Sequence, residues 1–505
     1  MSNHVYENQS TTPPVEALDR RDTDRRRGVR IALVVALVGF VAWDLAFTIL
    51  RPELVGDEHH HVPAIEAAAR GDWKPAWELP MPPTYHWLAV WATRAVGPEL
   101  WALRAFQTFW TLLAILLYHA AAKAYHSDYA GRDLLRFGWH PLLFAFGALV
   151  CTDLAALVAI LIALNLHVRR RYVWAALALV AATVVRQSSV LWAGYFLIWA
   201  LAEEWLRESP VTIGRNEHHR DSDDTEKKSD DRSRRIAPGT RPTTASRSEA
   251  SADENDSLAQ YLRHLLTLCA ALVSFFHRWL RTAALTKLRS GAWTYLAVFL
   301  IGSVVVAFAG RGVLLAQAES NAPDFNPAVF YLFVIAAALL WLPIWLARLA
   351  EFLPRRFVPA SMRIWRVALV VALIGVVAIE FRNPHPWNMD PEFPHNWPLY
   401  AMVMFGWARA LLATVIVIFV ITYALDAARS PARRMLALTW GFTLAFLLPH
   451  NLADLRYYIV PFMLIDFLTP RGPTEGRVLA AWHLILSLAI AGLLAFQLGG
   501  VKGML

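Results

Sequence analysis

The stretch GDEHHHVPAI at positions 56–65 holds two carboxylates and three histidines directly after a long apolar run. A general base needs a carboxylate or imidazole within reach of the proton it takes, and Asp57, Glu58 and His61 are of that type. Zinc is a second reading of HHH. Neighbouring side chains on a helix point about 100° apart, and only an extended segment puts His59 and His61 on one face, so a set of three or four ligands is not assembled locally. Three further segments carry complementary chemistry. Arg186 and Gln187 sit in VVRQSSVLW, Asp153 in CTD, and Asp454, Arg456 and Tyr457 in LADLRYY. The segment HPWNMDPEFPHNW (385–397) adds His385, Trp387, Asn388, Asp390, His395 and Trp397. Guanidinium groups bind phosphate through paired hydrogen bonds. Aromatic rings and amides offer faces and hydrogen bonds to a sugar.

The elements that position these groups are membrane spans. The chain has 505 residues, of which 57% are hydrophobic and only 17% charged. Its mean hydropathy is +0.38. IALVVALVGFVAWDLAFTIL (31–50), TYLAVFLIGSVVVAFAG (294–310) and AVFYLFVIAAALLWLPIWLA (328–347) approach or reach the roughly 20 apolar residues that cross a bilayer. Continuous rather than alternating runs predict helices, because lipid leaves only helices and closed barrels with satisfied backbone groups. The fold class is therefore all-α, a polytopic transmembrane helical bundle of about 12–14 spans, with interfacial helices in the first outer loop.

The net charge of +8 lies largely in loops between spans and does not call for nucleic acid. RRDTDRRRGVR (20–30) holds a polar head, residues 1–30, on the cytoplasmic side, and no cleavable leader pattern is evident. Residues 31–205 form an N-terminal membrane module with a Trp- and Pro-rich first outer loop, 51–99. Short apolar arms are expected at 138–150 with 154–168, and at 172–185 with 189–203, the alternative being one long span per pair with Asp153 and Arg186 at mid-membrane. Residues 206–257 are charged and Ser/Thr-rich and read as a disordered cytoplasmic insertion, so its Asp221/Asp223 triplet and NDS sequon are idle. The stretch 258–285 is either a span or an in-plane helix. Residues 258–505 form the C-terminal module, with outer loops at 381–397 and 449–455. Cys151 and Cys269 lie in apolar runs and read as small hydrophobes.

Topology drawn from the basic loops alone sends the acidic, histidine and arginine clusters to one outer face. Ionisable groups at a membrane edge are expensive unless used. A base, two guanidinium groups and aromatic faces suit glycosyl transfer from a lipid-linked phosphosugar. A transporter of lipid-linked glycans also carries buried charge in broken spans, but no inverted repeat is visible. A non-catalytic scaffold would tolerate loss of Asp57 and Arg456.

At these residues the chain resembles the dolichyl-phosphate-glucose alpha-1,2-glucosyltransferases, which add the last glucose to the lipid-linked N-glycan precursor. Their opening MDE-x-x-H-x-x-Q pattern reads here as GDEHHHVPA, with Asp57, Glu58 and His61 matching and Gly56 and Ala64 departing. WELPMPPTYHWL (77–88) is an altered form of a WDP-x-ITTPPGLY stretch. Thr152 and Asp153, then Arg186, Gln187 and Trp192, then His385 and Pro386, then Arg456, Tyr457 and Pro461 match later motifs in order. Asp390 and His395 match roughly, and Asp454 stands for a glutamate or beside it.

The resemblance implies a GT-C fold and an inverting transfer that is metal-independent, with no cofactor. The implied donor is a polyprenyl (dolichyl) phosphate glucose, and the acceptor is a lipid-linked oligosaccharide. Another polyprenyl-phosphate sugar or acceptor stays open. The active face would be lumenal in an endoplasmic reticulum membrane, or extracytoplasmic in a prokaryotic plasma membrane. Asp57 is then the expected base with Glu58 as runner-up. Arg456 and Arg186 take the donor phosphate, with His385, His395, Tyr457 and Trp387 on phosphate or sugar. His61, Asp153, Gln187, Asp390 and Asp454 contact the acceptor or support the site.

Overall fold

The computed structural model describes residues 15–79, 81–126, 130–207, 291–309, 326–352, 360–381, 397–430, 432–448, 454–469 and 471–496. All regular structure among them is helical. In order these are α1 (Val15–Leu50), α2 (Glu58–Ala69), α3 (Lys74–Glu78), α4 (Thr84–Ala92), α5 (Leu100–Tyr125), α6 (Gly131–Gly138), α7 (Pro141–Gly147), α8 (Asp153–Val168), α9 (Tyr172–Val185) and α10 (Val190–Arg207). Then come α11 (Trp293–Ala309), α12 (Pro327–Leu340), α13 (Leu342–Phe352), α14 (Ala360–Glu380), α15 (Trp397–Met404), α16 (Gly406–Arg429), α17 (Arg433–Leu447), α18 (Ile459–Leu468) and α19 (Pro473–Phe496). Short 3-10 turns at Gln187–Ser189 and Leu455–Tyr458 lead into α10 and α18.

The chain forms two compact units, Met1–Trp199 with Thr294–Leu505, and Ala200–Trp293. The description of the second covers residues 200–207 and 291–293. The expected insertion beyond residue 207 and the 258–285 stretch lie outside the described residues.

Among the described residues, four helices are long and apolar enough to cross a bilayer: Thr23–Leu50 within α1, α5, Gly406–Ala428 within α16, and Pro473–Leu494 within α19. A bent pair, α12 with α13, makes a fifth. Val34, Val38, Leu45 and Ile49 of α1 are exposed, as a lipid-facing surface requires. This is a multi-pass membrane protein. Helices Asp153–Val168, Tyr172–Val185, Trp293–Val305 and Val367–Glu380 are apolar but shorter, and part of the expected 12–14 spans lies outside the described residues.

The expected arm 138–150 is the fully buried seven-residue α7, and α8 is buried nearly all round against α5 and α9. Such a helix faces protein instead of lipid. The 327–349 run bends by 81° at Trp341. Pro343 lacks the N–H that would bond the carbonyl of Leu339, and the indole of Trp482 donates to that carbonyl at 2.8 Å. The 398–424 run breaks at Phe405, where Arg409 donates to the carbonyls of Met402 (2.6 Å) and Val403 (3.0 Å).

Helix α6 lies so close to α1 that a Cβ on Gly138 would stand 2.7 Å from the Cβ of Ala36. That methyl cannot swing away. Gly138→Ala is therefore expected to destabilise the bundle by about 1–3 kcal/mol, read as a lowered unfolding midpoint in detergent.

Candidate active site

The first outer loop leaves α1 at Leu50 and turns into α2. Gly56 has φ +56°, a left-handed conformation that favours glycine. The carbonyl of Asp57 accepts from His60 N–H (2.9 Å) and His61 N–H (3.0 Å), so Asp57 opens α2 through its backbone. Its carboxylate makes no capping bond. It reaches out instead to pair with the guanidinium of Arg456. The side chain of Asp57 stays 30% exposed while that of Glu58 is fully buried, so the two acids point into different surroundings.

Glu58 is held on both oxygens. Arg104 donates to Oε1 (2.9 Å) and Oε2 (2.6 Å), Val55 N–H to Oε2 (3.0 Å) and Val150 N–H to Oε1 (3.2 Å). His61, one turn into α2, has Nε2 3.9 Å from Asp57 Oδ2 and Nδ1 3.1 Å from Nε2 of His86 on α4. Burial, reinforced by His86, His60 and Arg186, holds His61 well below the ordinary imidazole range. Burial brings His86 down to about 4. Both rings are neutral at pH 7. On the opposite side of α4, Trp87 and Trp91 are exposed, in keeping with the interfacial helix expected in this loop.

The last outer turn supplies the positive partner. Asp454 starts the 3-10 turn by accepting from the backbone N–H of Arg456 at 3.0 Å, and its other oxygen lies 2.7 Å from Arg456 Nε. Arg456 is therefore gripped between Asp57 and Asp454. The break between α9 and α10 presents Arg186, which pairs with Asp153 at the start of α8. The ring of Tyr457 lies beneath both guanidinium groups, 4.9 Å from that of Arg186 and 5.6 Å from that of Arg456. Two guanidinium groups thus alternate with three carboxylates around one aromatic face. Burial pushes Asp454 up to about 6, against the pull of the Arg456 N–H and the charge of Arg186.

Of the residues singled out in the sequence, Asp57, His61, Asp153, Arg186, Asp454, Arg456 and Tyr457 come together here. Gln187 follows Arg186 in its 3-10 turn. Glu58 faces the core. His385, Trp387, Asp390 and His395 lie outside the described residues. Arg104, His86 and Gln107 escaped the sequence reading. Gln107 accepts from the hydroxyl of Tyr85 at 2.8 Å. The available signal was Arg104 itself, an isolated cation in an apolar run.

A second buried group, His140, Asp466 and His483, has ligand-type atoms within 4.8 Å of one another. Leu142 N–H donates to His140 Nδ1 (3.3 Å), which places that ring's proton on Nε2. His483 Nδ1 donates to the carbonyl of Arg136 (2.9 Å). Arg136 Nε stands 3.7 Å from Asp466 Oδ2. A metal would have to compete with that guanidinium and invert the His140 tautomer. The hydrogen bonds around the group tie α6 to α19 through His483 and the Arg136 carbonyl, and α6 to α18 through Arg136 Nη2 and the Asp466 carbonyl (2.7 Å). His140 Nε2, His483 Nε2 and Asp466 Oδ2 themselves make no hydrogen bond among the described residues.

The described residues thus form an all-helical multi-pass bundle that carries an acid–guanidinium cluster, an arrangement consistent with a membrane transferase of the GT-C type. The chain belongs to the DIE2/ALG10 family, whose sequence profile matches residues 51–467. It is a glycosyltransferase that draws its sugar from a polyprenyl-phosphate donor. No curated protein and no solved structure matches the chain.

Proposed function

We propose that the enzyme transfers glucose from a polyprenyl phosphate to a lipid-linked oligosaccharide, with inversion and an alpha-1,2 linkage, on the lumenal or extracytoplasmic face. In a eukaryotic cell that membrane is the endoplasmic reticulum. The observation that carries the reading is the direct contact between Asp57 and Arg456, an acid from the first outer loop and a cation from the last.

Asp57 is the general base. The acceptor hydroxyl attacks C1 of the sugar opposite the phosphate. Its proton passes to Asp57 as the bond from C1 to the phosphate oxygen breaks. The bonding electrons leave with that oxygen, and polyprenyl phosphate departs with one more negative charge. Arg456 and Arg186 take up that charge by ionic hydrogen bonds. Asp454 and Asp153 hold the two guanidinium groups from behind. His385 and His395 act on phosphate or sugar, with Trp387 and Tyr457 offering aromatic faces. Without donor, Arg456 neutralises Asp57. Phosphate draws Arg456 away and leaves the base free, so donor binds before acceptor. Phosphate is a good leaving group, and no Lewis acid is needed to expel it.

The test is reconstitution of the pure protein in lipid with labelled polyprenyl-phosphate glucose or mannose and a panel of lipid-linked glycans. Glucose transfer to a glucose-terminated acceptor supports the reading. Transfer of mannose alone, or label crossing the bilayer without transfer, overturns it.

A pH dependence follows from Asp454. Its carboxyl titrates near 6 in the fold against an ordinary 3.8. Protonation on the way down removes the charge that orients Arg456, so kcat should fall through about pH 6. The donor is a phosphodiester and stays ionised there. Because the folded pKa is the higher one, this same protonation favours the fold between 6 and 3.8. The loss of rate should therefore come without a fall in the unfolding midpoint from this group. Burial also lifts Asp153, the partner of Arg186, to about 6, so Asp454→Asn should shrink the step and the double variant with Asp153→Asn should remove it.

A further inference from the structure

We propose that Arg104 and Glu58 are positioning residues that set where the base stands, an inference that rests on Asp57 being that base. Arg104 lies in α5, outside the cluster just described, and is fully buried. Besides its two bonds to Glu58, it donates through Nη2 to the carbonyl of Glu53 at 2.9 Å and through Nη1 to the carbonyl of Arg51. Its guanidinium carbon lies 4.8 Å from the ring centre of Phe47, near the end of α1. One cation thus holds the last turn of α1, the loop that follows, and the first residue of α2.

Asp57 is the residue immediately before that fixed point, and its own carboxylate makes no bond to the helix start. The placement of its carboxylate is therefore inherited from Glu58 and from the Gly56 turn. Glu58 extends the clamp further. The Val150 N–H it receives belongs to the segment that runs through Cys151 and Thr152 into Asp153. The loop carrying the base and the segment carrying the partner of Arg186 are thereby fastened to the same carboxylate. A group saturated in this way by four donors does its work by holding still.

The test uses the full chain in lipid nanodiscs, with Glu58→Gln, Arg104→Lys and Asp57→Asn. Intact sites are counted by binding of labelled polyprenyl phosphate, and turnover is expressed per site. Glu58→Gln and Arg104→Lys should bind this probe within about threefold of the parent, since Arg456 and Arg186 are untouched. Their kcat per site should fall about 30- to 100-fold, the scale of a misplacement near 1 Å. The fall in rate below pH 6 should persist in Glu58→Gln at a lower plateau. A normal kcat per site, with only fewer sites, would make the pair purely structural and overturn the proposal. An acid limb that vanishes in Glu58→Gln, although Asp454 is untouched, would make Glu58 a reacting group and also overturn it. If Asp57→Asn turns over normally, the assignment of the base fails instead, a result that the binding and rate data for the other two variants keep distinct.

Discussion

Asp57→Asn is expected to lower kcat about 10³-fold, within the 10²–10⁴ range for removing a general base. The amide keeps the size of the side chain and the backbone start of α2, so the fold should survive. What disappears is the group proposed to accept the hydroxyl proton. A second consequence separates this outcome from general damage. Asp57 pairs with Arg456, and on the proposed mechanism phosphate displaces it. A partly exposed ion pair of this kind is worth about 1 kcal/mol, which corresponds to about fivefold in affinity. Polyprenyl phosphate should therefore bind the Asn variant no more weakly than the parent, and up to about fivefold more tightly. Single-turnover kinetics with pre-bound donor, together with equilibrium binding, measure both effects. Normal turnover would remove Asp57 from its role.

Arg456→Met is expected to lower kcat/KM for the donor about 10²–10³-fold, the scale of losing one charged donor to a developing anion. The loss has two parts. Phosphate forfeits an ionic hydrogen bond, and Asp57 and Asp454 are left facing each other without the cation between them. Arg456→Lys keeps the charge but not the planar fork that lets one guanidinium reach Asp454 through Nε and Asp57 through a terminal nitrogen. It should recover a minor part of the rate. Arg186 still lies over Tyr457 in both variants, so residual donor binding is expected. Steady-state kinetics over a donor titration at fixed acceptor resolve these differences. Equal rates for the parent and the Met variant would place the phosphate elsewhere.

The two effects differ in where they fall. Loss of the base appears in kcat with binding kept, whereas loss of the cation appears first in kcat/KM. A scaffold or a simple lipid carrier has no reason to show that split, because neither transfers a proton from an acceptor hydroxyl.

Much of this was legible residue by residue. Continuous apolar runs state that helices cross lipid, since the cost of an unsatisfied backbone group in hydrocarbon is local and large. Basic loops state which ends face inward, and this alone sent Asp57, Asp153, Arg186, Asp454 and Arg456 to one face. The helices at 100–125, 153–168 and 172–185 fall close to where their apolar patterns begin and end. The bend at Trp341 had a local cause in Pro343, but its size did not follow from the residue, because the partner that satisfies Leu339 comes from α19.

Pairing was the part that chain order could not reveal. Asp57 and Glu58 are adjacent acids of similar basicity, and three arginines, at 104, 186 and 456, were available to them. Helical geometry turns neighbouring side chains about 100° apart, so one acid faces α5 and the other faces the last outer turn. Which is which depends on the rotation of α2 against α5, a property of packing across a sequence gap of 46 residues between Glu58 and Arg104. Electrostatic partners are chosen by distance in space, and only the packed bundle sets that distance.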